Sequence, residues 1–187
     1  MRVVVEEKDG IRDQYARALA DVGAEKANKA FARALTHEGK KGSTQVRRAI
    51  VRASSIPMAM VRAGTVFHRA TSGNLRVEIV GRGAGLPLRH FKPRQFQAGV
   101  RAKVWGRFKM YPSAFGAPGD NPNVVAALSG NPFVRIGAKR LPITMLYGPG
   151  IANELVKDEP RKAFDAIMPH VSKRALHELS RLLGGAR

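Results

Sequence analysis

The spacing of apolar residues changes period near Thr65 and again near Pro149, and these two changes decide what the chain can fold into. From Asp9 to about His37 the apolar positions recur at helical spacing. Ile11, Tyr15, Leu19 and Val22 fall on one stripe, and Ala27, Phe31 and Leu35 fall on another. Gly23 divides or bends this stretch, and Gly39-Lys40-Lys41-Gly42 is expected to end it. A second helix should follow Ser43 or Thr44, with Val46, Ile50 and Ala53 on its apolar face and Arg47, Arg48 and Arg52 on its basic face. Ser55-Ile56-Pro57 reads as the cap and first turn of a short third helix that reaches Ala63.

Beyond Thr65 the period falls to two. Val66–Ala70 and Leu75–Val80, joined by Thr71-Ser72-Gly73-Asn74, read as a hairpin with Leu75, Val77 and Ile79 on one face. Further strands are expected at Leu86–Leu88, Gly99–Trp105, Phe108–Phe115 and Pro132–Ile136, with Val3–Val5 as a short strand or arm. Residues 116–131, rich in Gly, Pro and Asn, form an exposed loop in which Val124–Leu128 supplies a turn of helix. After a strand-and-turn segment at Leu141–Pro149, helical spacing returns from Ile151 to Leu183. Its stripe is Phe164, Ile167, Val171, Leu176, Leu179 and Leu183, with Pro160 at a helix start and Pro169 at a kink. The expected class is α+β: N-terminal helices, a small antiparallel β-sheet or partial barrel, and C-terminal helices. The segments are 1–63, 64–149 and 150–187, within one structural domain overall.

Charge concentrates in the middle of the chain. Residues 43–140 hold 17 Lys/Arg and two acids, Glu78 and Asp120, and so carry +15 of a formal +19. A compact state gains nothing from such self-repulsion, and the imbalance asks for an anionic partner: nucleic acid, or the acidic face of another protein. The bland alternative is a solvated basic surface. Arg101, Lys103, Arg107 and Lys109 alternate with apolar neighbours and give a strand with one cationic face, suited to phosphates or to acidic protein. Its own bland alternative is a sheet face covered by long aliphatic stems. Aromatics are sparse along the sequence and do not interleave with the bases, which argues against a single-strand stacking platform.

Catalytic and metal-binding classes find little support. There is no cysteine, so disulfides, thiolate catalysis and cysteine metal sites are excluded, and a reducing compartment fits. His37, His68, His90, His170 and His177 form no pair at metal-ligand spacing. Gly81-Arg82-Gly83-Ala84-Gly85 lacks the Lys-Ser/Thr of a phosphate loop and reads as a sheet corner. Glu154, Asp158 and Glu159 cluster at a helix start, where acids complement the dipole. No enzyme, metal or cofactor is expected. No apolar run approaches the ~18–20 residues of a membrane span. The start Met1–Glu7 is too short and acidic for a signal peptide, so a cytosol-like space is expected.

Arg140-Leu141-Pro142-Ile143 followed by Leu146-Tyr147-Gly148-Pro149 is similar to the closing signature of the phage minor tail protein Z family, the tail completion or neck proteins. Upstream, Leu86-Pro87-Leu88, Phe91-x-Pro93-Arg94-Gln95, Gly99-Val100, Val104-Trp105, Ala114-Phe115 and Phe133-Val134-Arg135 resemble the same family in order and spacing, over roughly Ala24 to Asp158. Gly150 departs from the small polar residue expected after Gly-Pro, and the 116–131 loop is enlarged. The resemblance implies a structural virion protein that completes the head-proximal end of a tail and helps join it to the head. It further implies a ring of identical subunits, expected to be six, built on heterologous interfaces. Implied partners are tail terminator or tail tube proteins, head–tail connector proteins and packaged double-stranded DNA. The implied location is the virion, with the host cytoplasm during assembly. Leu141, Pro142, Ile143, Leu146, Tyr147, Gly148 and Pro149 would pack against a neighbouring subunit or ring, or would close the chain's own core. Arg47, Arg48, Arg52, Arg101, Lys103, Arg107 and Lys109 would meet DNA or an acidic partner. The competing class is a basic ribosomal or other RNA-binding protein, and a DNA-compacting protein ranks third.

Overall fold

The computed structural model describes residues 2–5 and 23–184. The chain divides into two compact units, residues 1–47, 65–81 and 155–187, and residues 48–64 and 82–154. Each unit draws on all three of the consecutive segments 1–63, 64–149 and 150–187. The α+β expectation holds, with antiparallel pairing throughout the described strands.

In the first unit, β1 (Arg2–Val5) and β2 (Thr65–His68) flank β3 (Val77–Gly81) in an antiparallel sheet. The expected hairpin is the β2–β3 pair, and the expected N-terminal arm supplies β1. Val77 and Ile79 are buried, as period two requires, while Leu75 lies outside the strand and is exposed. The expected helical run Asp9–Val22 lies outside the described residues.

The long helix α1 (Ala24–Ser54) corrects the sequence reading. Gly39 and Gly42 do not end it, and no new helix starts at Ser43; α1 continues for 31 residues, about 46 Å. The glycines act through close approach. A Cβ on Gly39 would lie 3.1 Å from the Phe67 ring and 3.3 Å from Val77, and one on Gly42 would lie 2.8 Å from Ile167 and 3.1 Å from Phe164. Each glycine weakens helix propensity by about 1 kcal/mol, and in return the neighbouring chains pack directly onto the helix backbone. Arg47, expected on a free basic face, is half-buried. Its Nε donates to Thr65 Oγ1 at 2.8 Å, which ties the helix to β2.

Two further helices complete this unit, α5 (Asp158–Asp165) and α6 (Met168–Gly184). Pro169 does not kink a continuous helix. The chain breaks at Ala166–Ile167, and Pro169 sits in the first turn of α6, where its missing N–H is harmless. The buried stripe is Phe164, Val171, Ala175 and Leu179; Leu176, assigned to it from spacing, faces solvent. The i, i+4 step from Val171 lands on Ala175. Leu183 lies beyond the described side chains.

Glu38 is buried on α1, where it receives hydrogen bonds from Lys41 Nζ at 2.9 Å and His37 Nδ1 at 2.8 Å. Burial by itself would push its carboxyl up, but the bonds from Lys41 and His37 hold it below the ordinary 4.5. A carboxyl lowered in the folded state adds stability above its unfolded value, and this is lost as pH falls from 4.5 through the folded value. Both partners are largely exposed, so the contribution is about 1 kcal/mol. Glu38→Gln should lower the urea midpoint at pH 7 and leave it nearly unchanged at pH 3. An equal loss at both pH values would show that packing rather than charge matters there.

The second unit holds the last turns of α1, from Arg48, then α2 (Met58–Ala63) and three small antiparallel sheets. These sheets replace the expected single sheet or partial barrel. β4 (Gly85–Pro87) pairs with β10 (Tyr147–Gly150), and β5 (Arg94–Phe96), β6 (Gly99–Val104) and β7 (Arg107–Pro112) form a meander. β8 (Phe133–Arg135) pairs with β9 (Ile143–Met145). A 3-10 turn, Leu88–Phe91, follows β4. The 116–131 loop carries α3 (Pro122–Ala127), capped by the Asn121 side chain. Tyr147-Gly148-Pro149, expected as a turn, is strand β10 and leads straight into α4 (Ile151–Leu155). Ile50, Ile56, Val61, Leu88, Phe91, Val100, Ala102, Val104 and Ile151 form the buried interior.

Candidate interaction surface

The β5–β6–β7 meander sorts side chains by its register. Opposed residues share a face, and alternate residues along a strand return to it. Arg101 pairs with Met110 and with Arg94, Lys103 with Phe108, and Phe96 with Gly99. One face therefore carries Arg94, Phe96, Arg101, Lys103, Phe108 and Met110, all exposed. The opposite face carries Val100, Ala102 and Val104, all fully buried, and Val100 packs with Ala114, Ala117, Tyr111 and Leu146.

Of the four cations singled out in these strands, only Arg101 and Lys103 share the outer face. Arg107 and Lys109 fall on the other face of β7, opposite Val104 and Ala102, and are also exposed. Lys109 lies over the Tyr111 ring at 5.3 Å. Arg48 and Arg52 are exposed on the last turns of α1. From sequence Arg94 stands only in the Phe91-x-Pro93-Arg94-Gln95 motif and Phe108 counts with the apolar neighbours of the cations, whereas the register sets both, with Phe96 and Met110, on the cationic face. They lie on three strands, and only the register of the first and third against β6 gathers them. Along the sequence the aromatics do not interleave with the bases; across the sheet they do.

The hairpin joining β6 to β7 is held from outside. Trp105 and Gly106 both have positive φ, +49° and +76°, the conformation of a two-residue turn of mirror-image type. Trp105 N donates to Ser54 O at 3.1 Å, Gly106 N donates to Ser55 Oγ at 3.0 Å, and the indole Nε1 donates to buried Glu154 at 3.0 Å. Glu154 thus has a structural task, distinct from Asp158 and Glu159 in the first turn of α5.

Electrostatically the second unit is one-sided. It contains 14 Lys/Arg and two acids, Asp120 and Glu154. Asp120 accepts from Gly116 N and Asn121 N, both at 2.8 Å. The ion pairs Lys29–Glu25, His37–Glu38, Lys41–Glu38, Arg76–Glu78 and Arg174–Glu178 all join residues of the first unit. The Arg101 guanidinium lies instead over the Phe108 ring, 4.4 Å from its centroid.

The closing signature splits in two. Gly148 and Pro149 serve the unit's own interior: a Cβ on Gly148 would lie 2.6 Å from the Phe91 ring, and Pro149 is buried. Leu146 packs on the Val100 cluster, and Ile143 is half-buried in β9. Leu141, Pro142 and Tyr147 face solvent, with Leu141 65% and Tyr147 53% exposed, beside Ile136 at 59%.

Among the described residues no group of three or more His, Asp or Glu is placed to hold a metal ion, and no helix is long and apolar enough to cross a membrane. His170 and His177 line a shallow cleft with Lys41 and Lys173 in the first unit. No family model, curated protein or solved structure matches this chain.

Proposed function

We propose that this chain is a structural protein of a tailed phage that completes the head-proximal end of the tail and helps join tail to head as one subunit of a ring. The resemblance of Leu141–Pro149 and the upstream motifs suggests the family. The observation that carries the reading is the exposure of Leu141 and Tyr147, with Ile136 nearby, on a folded chain in which Leu146, Gly148 and Pro149 of the same signature are already packed. Large apolar side chains held in the open on or just beyond short paired strands suit an interface between subunits. The glycine–proline half of the signature holds β10 against Phe91 and thereby fixes where Tyr147 emerges. The uncompensated cations of the second unit fit acidic surfaces of adjoining rings.

The test is electron microscopy of lysates from the phage or prophage lacking this chain. Full heads beside separate tails, or joined but non-infectious particles, are expected; normal infectious particles would overturn the reading. Tyr147→Ala refines it. The purified variant should unfold within about 1 kcal/mol of the parent, as exposed positions do, yet fail to restore joined particles. A variant that no longer folds would assign Tyr147 to the core instead.

A further inference from the structure

The outer face of β5–β6–β7 has a composition that docking onto a protein ring does not require. It presents three cations and two aromatic rings on one surface, with no carboxylate among its strands. Phe108 is 57% and Phe96 44% exposed, so both rings are open to a ligand. They flank β6 on opposite sides and are four residues apart along it, about 13 Å at ~3.3 Å per residue. That spacing suits contact with two different bases rather than a clamp on one.

We propose that this face binds single-stranded nucleic acid, with Arg94, Arg101 and Lys103 on phosphates and Phe96 and Phe108 against bases. The proposal does not rest on the neck role, and the two can fail separately. A duplex keeps its bases stacked inside and offers exposed rings nothing to stack on, whereas a single strand offers both phosphates and base faces. The Arg101 guanidinium, seated on Phe108 without a carboxylate partner, is held as a plane beside the ring and keeps N–H groups for an incoming phosphate. None of these five side chains can accept a hydrogen bond, so none offers an acceptor to a 2′-hydroxyl. Binding should therefore be indifferent to the sugar.

The experiment is fluorescence anisotropy of a labelled 15-nucleotide oligo-dT, an oligo-rU of the same length and a mixed-sequence 15-base-pair DNA duplex. Each is titrated with the full chain at 50 and 200 mM salt. Oligo-dT and oligo-rU should bind within a few-fold of each other and more tightly than the duplex. Three phosphate contacts give a slope of about −2 in log K against log salt, or about twenty-fold weaker binding across this range. Phe108→Ala should weaken oligo-dT binding about ten-fold and leave the salt slope and the duplex affinity unchanged. Arg101→Gln with Lys103→Gln should flatten the slope by about 1.4. Phe96→Ala is the second ring variant, and circular dichroism checks that each variant is folded. Three results would each overturn the proposal: no oligo-dT binding at 50 mM salt, duplex binding as tight as single-strand binding, or unchanged affinity in both ring variants. The first would leave the face to an acidic protein, and the second to generic polycation attraction. A strong preference for oligo-rU would overturn its sugar indifference.

Discussion

Gly99→Ala is expected to dismantle the β5–β6–β7 sheet. Gly99 opens β6 at φ +138°, a conformation that side chains rarely adopt. A Cβ there would lie 2.2 Å from Tyr111 O, 3.0 Å from Ser113 N and 3.1 Å from Pro112 Cα. All three are backbone atoms, so no rotamer change relieves the clash; β7 must move away, and the Gly99–Pro112 end of the register goes with it. A loss of at least ~4 kcal/mol is expected, within the exceptional range for one substitution. The measurement is the urea midpoint of the purified variant against Gly73→Ala, where a Cβ meets nothing within 4 Å and about 0.5 kcal/mol or less should be lost. Equal midpoints for the two variants would show that the β6–β7 register described above is wrong.

Phe91→Ala should cost about 3–5 kcal/mol, the usual loss for a buried aromatic ring. Phe91 is 1% exposed on the 3-10 turn after β4, and its ring covers the Gly148 backbone. This contact makes a second, sharper prediction. Gly148→Ala alone would drive a methyl group to 2.6 Å from the ring and should be strongly destabilising. In the Phe91→Ala background the ring is gone, so adding Gly148→Ala should cost less than 1 kcal/mol more. Denaturation of the four members of this cycle measures the coupling. Additive losses would mean that the Phe91 ring is not what excludes a side chain at Gly148.

Both positions show where sequence patterning stops being informative. Period reveals which residues alternate or recur on a stripe, and it marked the helical character of the Ala24–Ser54 and Ile151–Gly184 stretches, though not their division, together with the β2–β3 hairpin and the buried Val100, Ala102 and Val104 face. Glycine carries a second meaning that period does not. At Gly39 and Gly42 the residue type read as a helix end, whereas its service is to let Phe67, Phe164 and Ile167 touch α1. The identity of those neighbours is set by chain segments 25 or more residues away. The same limit governed the interaction face. Arg101 and Lys103 were visible as alternating cations, but Phe96, Phe108, Arg94 and Met110 join them only through the register of two neighbouring strands. Trp105-Gly106 was equally hidden, because tryptophan is an uncommon choice for a left-handed turn position and is held there by Glu154 from 49 residues away.

The near absence of acids in the second unit also determines how its field responds to the environment. Histidine is the one side-chain type whose ordinary titration falls between pH 5 and 8, and this unit has a single one, His90. Burial, and then the charge of Arg89, holds His90 below its usual 6.5, which favours its neutral form near neutrality. The unit therefore behaves as a nearly constant positive pole across the acidity that a cell or its surroundings can impose. What does vary is the range of that pole, which shrinks from ~30 Å at 0.01 M to ~8 Å at 0.15 M ionic strength. Any partner held through this surface would thus be governed by the salt around it and by its own charge, and hardly at all by the unit's protons.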